Sequence, residues 1–209
     1  MTFELWLTFV AASTALLLIP GPTILLVLSY ALSQGRSVAV ASATGVALGD
    51  LIAMTASLLG LGAIVLTSAL AFTVLKWVGA VYLVWLGIKM LRGAGQAELG
   101  QLGNAPPRAA RAVFGHAAIV TALNPKSIGF FIAFVPQFVD PDTPLLPQFA
   151  IMIATFVSLA ALNALAYALL ADRLRARIQR PAVLRGLTRF GGATLIGMGL
   201  VTATLRRAT

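Results

Sequence analysis

Asp50 is the only acidic residue well inside an apolar stretch of this chain, and Lys126 directly follows an Asn-Pro pair inside another. A carboxylate at the centre of a bilayer costs about 2.5 to 3.5 kcal/mol on insertion scales, so such an acid must face the interior and be paired, protonated or both. The chemistry open to it is ammonium recognition or proton coupling. The plainer alternative is a structural partner for Lys126 or for free backbone N–H groups. Lys126 in turn could hold a carboxylate or serve as a counter-ion. Asn124 carries two donors and an acceptor and could bond either a ligand or unpaired backbone. In Ile19-Pro20-Gly21-Pro22-Thr23 two prolines flank a glycine, and because proline lacks the N–H and clashes with the preceding turn, a helix should break there. The half-helix restarting at Pro22 would present the N–H groups of Thr23, Ile24 and Leu25 with a partial positive charge suited to a carboxylate. Pro125 should make a second break of the same kind. Asn163 could line the cavity between them, or form an ordinary interhelical hydrogen bond.

The elements that must position these residues are apolar to an extent that defines the class. Of 209 residues, 59% are hydrophobic and 10% are charged, against about 25% charged in soluble domains; mean hydropathy is +0.95. An all-α, multi-pass membrane protein follows. The uncharged run from Leu5 to Gly35 exceeds the roughly 20 residues one span requires, which is why its Pro-Gly-Pro reads as a break rather than a boundary. Backbone freed from a helix cannot face lipid, so a break at that depth implies a cavity lined by protein or water. A proline kink used only for packing is the alternative. No Lys or Arg precedes Arg36, so the first segment is expected to be a retained span rather than a cleaved leader. Cysteine is absent, which excludes thiolate metal sites and thiol catalysis. The single His116 cannot make a metal or triad site alone; a solvated interfacial residue is its expected role, ahead of a pH sensor. With no nucleophile-base pair or metal-ligand cluster, no enzyme chemistry, cofactor or metal is expected. The net charge of +9 lies in short loops between apolar runs, which excludes a nucleic-acid-binding face.

Six spans are predicted: Leu5 to Leu32, Val38 into the 60s, Phe72 to Leu91, Val113 to Val135, Pro147 to Leu170, and a short last one with its uncharged core at Phe190 to Leu205. A Gly- and Pro-rich loop, Arg92 to Arg111, separates the halves, and a basic linker, Asp172 to Arg189, precedes the last span. Arg36 and the two basic loops share one side, which should be cytoplasmic, while Glu4, Asp140 and Asp142 share the other. Both termini should then be periplasmic; Arg206 and Arg207 run against that rule. The halves look related. Pro22 corresponds to Pro125, and a constant offset pairs Asp50 with Asn163 and Lys76-Trp77-Val78-Gly79-Ala80 with Arg189-Phe190-Gly191-Gly192-Ala193. The expected architecture is therefore a single transmembrane domain over 1–209. It comprises two inverted three-helix repeats, about 1–92 and about 112–209, joined by a linker at about 93–111, with helices 1 and 4 broken and the substrate site at the repeat interface.

Ile19-Pro20-Gly21-Pro22, Gly45-x-x-x-Gly49-Asp50, Lys76-x-x-Gly79-Ala80-x-Tyr82-Leu83-x-x-x-Gly87 and Asn124-Pro125-Lys126, in that order, resemble the lysine-exporter and homoserine/threonine-efflux (LysE/RhtB) family over nearly the whole chain. The resemblance implies a bacterial inner-membrane exporter of amino acids or close derivatives, driven by a proton or ion gradient. Substrate contacts are expected from Pro20, Gly21, Pro22, Thr23, Asn124, Pro125, Lys126 and Asn163, with Asp50 as the coupling residue. Gly45 and Gly49 are expected to allow close helix packing. The expected partners are a small zwitterionic substrate, protons or another coupling ion, membrane lipid and, where the chain self-associates, a second copy. A channel-like or accessory structural subunit is the alternative; it would need neither an intramembrane acid nor paired helix breaks.

Overall fold

A computed structural model describes residues 1–19, 21–67, 69–93, 108–140, 143–178 and 181–204, and among these the regular structure is all helical, with no strand. The first helix, α1 (Phe3–Leu18), starts where the Thr2 hydroxyl accepts from the Leu5 N–H, with Glu4 in its first turn, where a negative charge complements the helix dipole. It stops at Ile19, whose backbone is extended. Helix α2 (Pro22–Gln34) restarts with proline in its first turn, the position where a missing N–H costs nothing. It ends at Gly35, the one described residue with positive φ (81°). The axes of α1 and α2 bend by 55°. The second break repeats this pattern: α5 (Ala110–Ala122) gives way at Leu123-Asn124 to α6 (Pro125–Ala133), which continues as a 3-10 turn, Val135–Phe138, with a 43° bend. Pro20 lies outside the described residues, as do Asp142, most of the Arg92 to Arg111 loop, and Arg206 and Arg207.

Three uninterrupted helices complete each break's surroundings: α3 (Arg36–Thr67) and α4 (Ala69–Gly93) after the first, and α7 (Leu145–Ile178) after the second. Each contains a stretch long and apolar enough to cross a membrane: Ser37–Gly62, Thr73–Gly93 and Leu145–Ala171. Each bent pair also qualifies when its two pieces are taken as one span. The final helix, α8 (Pro181–Thr204), does not join them by length and composition. The basic linker expected over Asp172 to Arg189 is largely helical instead, since α7 runs on to Ile178 and α8 begins at Pro181. Arg, Ala and Leu are all strong helix formers, and absence of hydrophobicity ends a span without ending a helix.

Glycine sets the closest helix contacts. A Cβ at Gly45 would run into the Phe114 carbonyl, and one at Gly49 into the Ala118 carbonyl and Thr121. These two glycines are thus what lets α3 lie against α5, as small residues do at membrane helix interfaces. Helices α4 and α8 make a reciprocal contact, in which Gly87 meets the Gly192 carbonyl and Gly192 meets the Gly87 carbonyl. Two apolar clusters fill the interior. One is aromatic, with Phe9, Phe130, Phe131, Phe134, Phe138, Phe149 and Phe156 packed with Met152 and Leu195. The other is built mainly from alanine and small branched residues of α2, α3, α5 and α7, including Ala31, Ala43, Val46, Ala117 and Ala164. Leu16 and Ala160 of the first and Ile24 and Val46 of the second meet around a polar cavity.

Candidate functional site

That cavity lies between the two helix breaks and is walled by α3 and α7. Its polar lining is Thr23, Asp50, Asn124, Lys126, Ser127 and Asn163, and its volume is about 20 Å³, room for roughly one water. Six of the expected positions are therefore explained by one place in the fold. Thr23, Asn124, Lys126, Asn163 and Asp50 line it directly, and Gly21 adjoins it, with Lys126 Nζ 3.5 Å from where a Gly21 Cβ would stand. Pro22 and Pro125 act through the backbone, as the first residues of α2 and α6.

The carbonyls at the end of α1 dominate the polar arrangement. Leaving a helix strands its last C=O groups without intrahelical partners, and in an apolar surround each must find a donor. Lys126 Nζ donates to the carbonyls of Leu16 (3.1 Å) and Ile19 (2.9 Å). Asn163 Nδ2 donates to Leu17 (3.0 Å), and the Tyr167 hydroxyl to Leu18 (3.4 Å). Every carbonyl from Leu16 to Ile19 thus receives a side chain from the second half of the molecule. A cation is the fitting occupant at a helix C-terminus, where the dipole is negative.

Asn124 joins the two breaks. Its Oδ1 accepts from the Lys126 N–H (3.0 Å) and caps α6, while its Nδ2 donates to Thr23 Oγ1 (3.0 Å) in the first turn of α2. Thr121 also donates to Thr23 Oγ1 at 3.4 Å. Gly21, by contrast, gives α2 no side-chain cap, which leaves that N-terminus open to an anion.

Asp50 is 2% exposed, and its Oδ1 has no hydrogen-bond partner among the described residues. Lys126 is 9% exposed, and it is committed to the α1 carbonyls rather than to a salt bridge with Asp50. A buried carboxylate oxygen left without a donor is costly, and this one belongs to a residue on the cavity wall.

Tyr167 and Thr121 were not legible as site residues, because a tyrosine near a span end reads as an interfacial anchor and a threonine in an apolar helix as filler. The i, i+4 spacing of Asn163 and Tyr167 was the available signal, since it puts both on one helix face. His116 also differs from expectation. It is half-buried, its Nδ1 lies 2.9 Å from the Tyr30 hydroxyl, and the two rings meet edge to face at 6.1 Å, tying α5 to α2. The Asp140 side of the connector is organised by Gln148, whose amide bonds the Asp140 N–H and carbonyl and the Thr143 and Pro144 carbonyls.

The LysE type translocator family matches residues 14–206. A homoserine/homoserine lactone efflux protein of Salmonella typhimurium is 36% identical over 208 residues, covering the whole of both chains. An uncharacterized membrane protein of Vibrio cholerae is 32% identical over 206 residues, covering 99% of this chain and all of the relative. A leucine efflux protein of Klebsiella pneumoniae is 32% identical over 135 residues, 65% of this chain and 63% of the relative. No solved structure matches the chain.

Proposed function

This chain belongs to the LysE type translocator family, a membrane transporter rather than an enzyme, and from that premise we propose that it exports amino acids or close derivatives across the bacterial inner membrane by gradient-driven alternating access. The observation that carries the proposal is the polar cavity at the meeting of two broken helices, holding a buried carboxylate with an unpartnered oxygen beside a buried lysine. A structural subunit has no use for that combination. The cavity has room for roughly one water, so substrate entry requires the walls to part, as alternating access does and an open pore does not.

The substrate class can be narrowed. The Salmonella relative is named for both homoserine and homoserine lactone, two compounds that share a primary amine while only the first has a free carboxylate. For a transporter of this kind, ammonium recognition is the common requirement, and a carboxylate contact at the uncapped α2 N-terminus is an addition for zwitterions. Asp50 is the acid suited to the ammonium and to proton or ion coupling.

Six spans in two inverted repeats remain the architecture that best accounts for the matched breaks and for the reciprocal Gly87–Gly192 contact of α4 with α8, their third helices. In that arrangement α8 completes the sixth span with Arg189 near one interface, the basic loops are cytoplasmic and both termini periplasmic. Everted membrane vesicles should accumulate homoserine or its lactone when a proton gradient is imposed and stop when it is collapsed. Uptake indifferent to every ion gradient would leave a channel. A Thr143→Cys variant should react with an impermeant thiol reagent in intact cells, and reaction only after permeabilisation would reverse the orientation.

A further inference from the structure

Lys126 Nζ sits where a ligand's ammonium group would be expected to sit. An ammonium has three N–H donors, and two of them are spent on the carbonyls of Leu16 and Ile19 at the negative end of α1. The group is not bound to the buried carboxylate that lines the same cavity, whose Oδ1 is left without a donor among the described residues. One cation therefore faces two anionic seats, the α1 terminus and Asp50, and occupies the first. Lysine is suited to exchange between them, since its compact charge rides on four rotatable carbons rather than a rigid fork.

We propose that the carbonyl oxygens of Leu16 and Ile19, with the Asp50 carboxylate on the cavity wall, form a binding site for a primary ammonium group, which Lys126 fills as a tethered stand-in. When a primary amine enters, its ammonium takes the two carbonyls and Lys126 Nζ swings to Asp50. The α1 carbonyls thus keep a cation in both the empty and the loaded state, while Asp50, whose Oδ1 lacks a donor in the empty one, gains its partner on loading. Recognition rests on N–H donors, so primary amines are the substrate class, while quaternary ammonium and N-acylated compounds are excluded. The substrate half of this inference rests on the export reading above; the existence of the ammonium site does not.

The test separates the two. The purified full-length Lys126→Ala variant should unfold at a lower temperature than wild type in detergent. Methylammonium chloride should restore at least half of that loss, whereas tetramethylammonium and sodium chloride at equal ionic strength should not, because neither cation offers an N–H. Wild type, whose tethered cation competes for the same carbonyls, should respond to methylammonium less than the variant does and to the other two salts not at all. Equal rescue by all three salts, rescue by none, or a variant as stable as wild type would each overturn the site. Lys126→Gln, which keeps amide donors, serves the same measurement where the alanine variant fails to fold, with a smaller loss and the same order of rescue. In binding assays, Lys126→Gln should take homoserine lactone and homoserine several-fold more tightly than wild type, a competitor having been removed. If homoserine alone weakens, Lys126 is a carboxylate ligand and the stand-in role is wrong. Wild-type protein that binds neither compound defeats the export reading for these substrates and leaves the methylammonium result to decide the site.

Discussion

The two helix breaks begin from similar residues and differ in where their side-chain partners come from. At the second, the chain satisfies itself: Leu123 N–H bonds the Ile119 carbonyl, Asn124 N–H the Thr121 carbonyl, Ile128 N–H the Asn124 carbonyl, and Asn124 Oδ1 caps α6. From the other half, the Tyr82 hydroxyl donates to the Pro125 carbonyl at 3.1 Å, and Thr23 Oγ1 accepts from Asn124 and Thr121. The first break has backbone bonds of its own, from the Ile19 N–H to the Leu16 carbonyl and from the Leu25 N–H to the Gly21 carbonyl, but the carbonyls from Leu16 to Ile19 take their side-chain donors, Lys126, Asn163 and Tyr167, from the other half, and α2 starts without a side-chain cap. A break closed by its own residues is a rigid fixture. One closed by borrowed side chains can exchange its partners, which is what a site that loads and unloads requires.

The contrast can be broken or sharpened by substitution, beginning with the largest effect. Asp50→Asn keeps size and removes the charge, so the variant should insert and fold while gradient-driven efflux falls to background in vesicles. Wild-type rates with unchanged response to the gradient would make Asp50 structural and move the coupling residue elsewhere. Asn124→Ala should cost about 2 kcal/mol, read by thermal unfolding, because it removes a helix cap and the shorter of the two hydrogen bonds to Thr23 Oγ1; no loss would mean the second break does not depend on its own cap. The smallest effect separates the breaks most directly. Tyr167→Phe and Tyr82→Phe each delete one hydroxyl-to-carbonyl bond and should cost about 1 kcal/mol or less. Tyr167→Phe should also slow efflux measurably, whereas Tyr82→Phe should leave it near wild type. Equal slowing by both would erase the functional distinction between the breaks.

Much of this was legible before any coordinates. Pro22, Pro125 and the uncharged runs around them placed both breaks, because proline's missing N–H acts on the chain locally whatever surrounds it. Asp50 was marked by the cost of a charge in an apolar span, and Gly45 and Gly49 by the spacing that brings helices together. The linker before α8 was misread for an equally local reason, since helix propensity and hydrophobicity are independent and the Arg-Ala-Leu run has the first without the second.

What the amino-acid sequence determined by itself was therefore the membrane class, where the helices break, and which side chains are too polar for lipid. Only the tertiary structure decided what those side chains hold. Lys126 finds its partners in Leu16 and Ile19, and Asn163 and Tyr167 find theirs in Leu17 and Leu18, through carbonyl oxygens that every residue possesses and that no side-chain identity can announce. Which of those oxygens lacks a helical partner depends on where α1 stops, and which donor reaches it depends on how the second half packs against the first.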